Sequence, residues 1–182
     1  MFNPTRLALC VGAFAISLAL PHVVTAAPAA APTPVPIAHP DFSSMQFLTG
    51  TWTCHETVRG KDRPDTSTTT IGLDGAYLIG HDVAPPFDKY RSVPIKTDFY
   101  TTYNPTKHQW VSFAMDSDGG YFVSTSPGWS GNTMTTTTVI SADGSTGSDV
   151  LTKVSDTQTR DVSTSKGGNG KVTHVTTICK KS

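Results

Sequence analysis

Cys54, Cys179 and Glu56 are the residues whose chemistry this sequence constrains most. A third cysteine, Cys10, lies inside an apolar N-terminal run that reads as an export signal, so its removal leaves two. A pair of cysteines in a chain bound for an oxidising compartment is expected to form one disulfide. Glu56 falls on an apolar strand face, where a buried carboxylate is costly unless paired. Arg91, Arg160, Lys153 or a donor group on a ligand could satisfy it; at a strand end near a barrel mouth, water would. Other constellations fail on inspection. The six histidines show no zinc spacing. Asp116-Ser117-Asp118-Gly119-Gly120 opens like a calcium loop, but Pro127 stands where the twelfth position requires a bidentate Glu, which leaves a hairpin turn. Gly128-Trp129-Ser130-Gly131-Asn132 lacks the closing glycine of a nucleophile elbow and precedes a strand, not a helix. No catalytic residue is assigned, and an enzyme is not expected.

The N-terminus explains the compartment. Arg6 precedes the apolar run Leu7 to Leu20, Pro21 breaks it, and Val24-Thr25-Ala26 offers small residues for cleavage. Residues 1–26 are therefore read as a signal peptide, with a retained anchor as the alternative. The run is short against the roughly 20 apolar residues of a membrane span. Cys10 sits near the start of that run rather than after it, which excludes a lipoprotein acceptor. Without the signal the chain has 13 basic and 14 acidic residues. That balance makes no electrostatic case for nucleic acid or an anionic membrane. Residues 27–41, with Pro28, Pro32, Pro34, Pro36 and Pro40, read as a solvated Ala/Pro-rich tether. A secreted or periplasmic location is expected.

Residues 42–182 make the folded domain. Asp41 or Ser43 can cap one helical turn, with Phe42, Met45 and Phe47/Leu48 placed to plug a barrel end. After Gly50, short runs rich in Thr, Val, Tyr and Phe alternate with turn residues such as Asp74-Gly75, Asp118-Gly119-Gly120 and Asp143-Gly144. They predict about ten strands near 50–59, 66–72, 75–83, 95–103, 109–116, 120–126, 132–140, 148–154, 157–164 and 170–179. Hairpin-length loops favour an antiparallel meander. Closing it removes the exposed edges of so wide a sheet, so the expected fold is an all-β, closed antiparallel barrel. A β-sandwich is the rival, but it would normally show longer crossing connections.

In the first strand Trp52, Cys54, Glu56 and Val58 share the inward face. Trp52 reads as a core tryptophan able to line a pocket. Gly50-Thr51-Trp52, following a short helical turn, resembles the Gly-x-Trp signature of lipocalins and wider calycins. The longer stretch Phe47 to Trp52 with about ten strands after it is similar to secreted bacterial lipocalin-like domains of unassigned function and to haem-binding nitrobindins. The resemblance implies a barrel that holds a small ligand. A nitrobindin-like site would further need an axial histidine, for which His174 and His81 are the candidates.

A closed meander makes the first and last strands neighbours, so a Cys54–Cys179 bond would staple the seam. With Cys54 inward, Cys179, Val175 and Thr177 should face inward and His174 outward. Tyr77, Phe99, Tyr103 and Trp110 are placed on inward faces, as core or as pocket lining. The expectation is a barrel binding a small, largely apolar molecule through Trp52, Glu56, Tyr77, Phe99, Tyr103 and Trp110. The alternatives are a haem protein acting on nitrogen oxides or peroxide, and a filled scaffold or envelope protein lacking a cavity of at least about 300 Å³.

Overall fold

The computed structural model describes residues 39–58, 60–87 and 92–182. The expected signal, the tether up to residue 38, Cys10 and Arg91 lie outside the described residues. A 3-10 helix, Ser43–Leu48, leads into β1 (Gly50–Val58), β2 (Lys61–Gly72), β3 (Tyr77–Ala84), β4 (Ile95–Asn104), β5 (Gln109–Asp116) and β6 (Tyr121–Ser126). After these come β7 (Trp129–Ser130), β8 (Thr133–Ser141), β9 (Thr146–Ser155), β10 (Gln158–Lys166) and β11 (Val172–Lys181). Apart from β6 and β7, sequence neighbours pair antiparallel, and two further pairings, β1 with β11 and β6 with β8, close the sheet. The result is a ten-stranded barrel with β7 appended to β8. Such a barrel is compatible with a lipocalin- or calycin-like fold.

The seam is stapled as expected. Cys54 and Cys179 are direct partners across β1 and β11, with Cα atoms 4.0 Å apart and a disulfide between them. Thr177 shares the inward face with Cys179, while His174 and Ile178 are exposed.

One end of the barrel is plugged by the 3-10 helix. Phe42 and Met45 bury themselves against Leu78, Trp110 and Met134, with Leu48, Tyr103, Trp129 and Leu151 packed around them. Phe42 and Tyr103 each bring a ring centroid to 5.3 Å from that of Trp110. Burial of side chains this size stabilises by roughly 1.5–3 kcal/mol each, far more than a six-residue 3-10 helix gains from its own backbone. Asp41, rather than capping the helix proper, accepts the Ser43 N–H at 2.8 Å just before it. Lys181 then ties the last strand to the plug helix and β1. Its ammonium donates to the Phe47 carbonyl at 3.0 Å and sits 5.3 Å from the centroid of the Trp52 ring. Gly50 makes room for this reach: at φ +114° a β-carbon would lie 2.9 Å from Lys181 Cε.

The strands differ from the sequence expectation in two places. β2 begins at Lys61, five residues early, and contains Pro64. At Pro64 the strand has β1 on one side and no registered β3 partner on the other, because β3 joins only from Thr66. A proline is tolerated on such an edge, where its missing N–H breaks no ladder. The second difference is β7, too short to carry a periodic signal. The calcium-like stretch is a turn: the Asp116 carboxylate accepts the N–H groups of Asp118 at 2.8 Å and Gly120 at 2.9 Å.

Candidate functional site

Inward-facing side chains of the barrel enclose a cavity of about 550 Å³. It lies within the usual range for small-molecule sites, roughly 300–1,000 Å³, so the barrel is not filled. Its floor is apolar: Met45 and Leu48 from the plug, with Trp52, Leu78, Met134 and Leu151 from the strands. The Trp52 indole N–H donates to the Leu48 carbonyl at 2.8 Å, which leaves the ring's apolar body as lining. On β4, β5 and β6 the wall is uncharged, with Phe99, Ala114 and Phe122 beside the small hydroxyls of Thr101, Ser112 and Ser124. Thr101 and Ser112 satisfy each other at 2.7 Å across the strand pair.

The opposite wall is acidic. Glu56 on β1, Asp65 on β2, Asp82 on β3, Asp149 on β9 and Asp161 on β10 all line the cavity. Arg63 on β2 is the one basic lining residue among those described. The carboxylates form a chain in which each feels its neighbour's charge: Asp82 feels Asp65, Asp65 feels Glu56, and Asp161 feels both Glu56 and Asp149. Burial pushes Asp82 up to about 6, a hydrogen bond from Ser67 opposing the shift and Asp65 adding to it. Burial also pushes Asp161 up to about 6, with the charge of Asp149 next in weight. Asp65 is raised for the same first reason, held back by the Thr66 amide and by Arg63. Asp149 accepts Thr136 Oγ1–H at 3.0 Å and is also in contact with the Ser163 hydroxyl. That hydroxyl lies 3.0 Å from Asp161 as well, although it has a single proton to give. Asp65 Oδ1, Asp82 Oδ1 and Arg63 Nε are sealed from solvent without hydrogen-bond partners.

Among the residues chosen from the sequence, the structure brings Trp52, Glu56 and Phe99 together on the cavity lining. Tyr103 and Trp110 belong to the packed floor beneath it. Tyr77 is a correction: it faces the outside, its ring edge-on to Tyr100 at 6.4 Å. The reason is register. Trp52 opposes Ser67 and Ser67 opposes Asp82, so the inward set on β3 is Leu78, Gly80, Asp82 and Ala84. The same register turns His81 outward, where it pairs with Asp98. His174 is exposed and meets the Thr164 hydroxyl at 3.1 Å. No described histidine lines the cavity, so the haem alternative has lost both of its axial candidates. Among the described residues no group of three or more His, Cys, Asp or Glu is arranged to hold a metal ion.

Glu56 also finds a partner other than those expected. It pairs with Arg63, directly opposite on β2, in the stretch that the sequence reading left outside the strand. Lys153 instead contacts Asp156 at 2.7 Å and lies 4.4 Å from the Phe47 ring centroid, and Arg160 is exposed on the outer face. The four interior aspartates were missed. Asp65 was hidden by the late start assigned to β2, and Asp82 by the inverted facing of β3. Asp149 and Asp161 carried a usable signal, since each alternates with inward neighbours: Leu151 for Asp149, Thr159 and Ser163 for Asp161.

No protein-family model matches this chain, and no curated protein matches it.

Proposed function

We propose that this chain is an exported barrel that binds a small, largely apolar molecule in its interior. The observation that carries the reading is the cavity of about 550 Å³ with Trp52, Leu48, Met45, Leu78 and Met134 as its floor. A space of that size lined by apolar side chains favours any apolar body that fills it, because burial stabilises by about 25 cal/mol per Å². Export is supported by the N-terminal signal pattern and by the disulfide, which persists in oxidising compartments. Among the described residues no helix is long and apolar enough to cross a membrane. The cavity also weighs against a filled scaffold.

The test is titration of the purified, disulfide-intact protein with the neutral fluorophore N-phenyl-1-naphthylamine, followed by native mass spectrometry. A saturable rise in emission at one equivalent, with quenching of tryptophan fluorescence, is the expected result. Linear, unsaturable partitioning would contradict the reading.

A further inference from the structure

We propose that the bound molecule is an amphiphilic amine or related nitrogen cation, its positive end held by the wall of Asp65, Asp82, Asp149 and Asp161 and its apolar body on Trp52. This deepens the cavity reading above and rests on it.

Three features of the wall ask for the same thing. The first is charge: five carboxylates face the cavity against one guanidinium, and Arg63 is already engaged with Glu56. An anionic ligand would add to this repulsion, whereas a cation relieves it. The second is a shortage of donors. Ionised carboxylates only accept hydrogen bonds, and with Arg63 engaged by Glu56 the donors that serve these four aspartates are mainly the hydroxyls of Ser67, Thr136 and Ser163 and backbone amides. The third is Ser163, whose single hydroxyl proton lies between Asp149 and Asp161 and can serve only one of them. An ammonium group brings three N–H donors and one positive charge, so it supplies both deficits at once. The uncharged wall with Phe99 and the floor with Trp52 define where the rest of such a molecule lies.

The experiment compares decylammonium, decan-1-ol and decanoate, each below its micelle concentration, by calorimetric titration of the disulfide-intact protein near neutral pH. Decylammonium is expected to bind at least about tenfold tighter than the alcohol, as a charge-assisted hydrogen bond allows, with decanoate weakest. In the double variant Asp82→Asn/Asp161→Asn, checked for fold by circular dichroism, that preference should shrink by about tenfold. Equal affinity for the ammonium and the alcohol, or a preference for decanoate, overturns the cation inference while leaving the apolar-ligand reading intact. A preference undiminished in the double variant overturns the assignment to this wall. Saturable binding of none of the three overturns both readings.

Discussion

The ring of Phe99 occupies the space that a side chain on Gly80 would fill. The two are direct partners across β3 and β4, and a β-carbon at Gly80 would lie 1.8 Å from Phe99 Cζ. The absence of a side chain on one strand thus makes room for the aromatic ring of its partner, which lines the cavity. Gly80→Ala should drive the ring inward, into space the ligand needs. The expected outcome is about tenfold weaker binding of N-phenyl-1-naphthylamine, with a loss of about 1–3 kcal/mol in urea denaturation. Unchanged affinity would show that Phe99 does not border the binding volume.

The acidic wall makes stability depend on pH in an unusual direction. Asp82 and Asp161 titrate near 6 in the folded protein, above the 3.8 of an unperturbed aspartate. Between those values the folded state holds protons that the unfolded chain has released, so stability falls as pH rises. Around Asp82 lie Asp65, Asp98 and His81; around Asp161 lie Asp149, Glu56 and Arg160. Urea denaturation of the ligand-free protein should show a gain of about 1–3 kcal/mol from pH 7 to pH 5. The Asp82→Asn/Asp161→Asn variant should lose most of that slope. Stability rising with pH over the same interval would contradict the assignment.

The disulfide closes a loop of 125 residues across the seam of the barrel. The chain-entropy model assigns such a closure about 3–5 kcal/mol, so the Cys54→Ala/Cys179→Ala variant should lose that much in denaturant unfolding. A loss below about 1 kcal/mol would mean that the hydrogen-bonded ladder between β1 and β11 holds the seam without it.

Met45 is fully buried at the centre of the plug. Removing its side chain opens space between Phe42, Leu78, Trp110 and Met134, and the surrounding strands have little freedom to collapse. Met45→Ala should cost about 2–5 kcal/mol and loosen the floor under Trp52, measured by denaturation and by tryptophan emission. Native stability in this variant would show that the plug is dispensable.

The barrel, its closure and its plug were legible because each rests on a local pattern. Alternation in Trp52, Cys54 and Glu56 set the inward face of β1, and the two cysteines then fixed which strands meet. The acidic wall was not legible because it depends on register carried across several hairpins. Pro64 disguised the strand that holds Arg63 and Asp65. The turn at residues 73–76, where Leu73 and Asp74 take positive φ, sets the facing of β3, and shifting it by one residue exchanges Tyr77 and His81 for Leu78 and Asp82. Composition could not compensate: near-neutral overall charge hides five carboxylates gathered on one interior surface.

The most direct measurement is a crystal structure of the protein soaked with decylammonium. The nitrogen should lie about 3 Å from carboxylate oxygens of the interior aspartates, with the alkyl chain running toward Trp52. Density for the amine on the outer surface alone, or a head group turned to the Trp52 floor with the tail against Asp82 and Asp161, would contradict it.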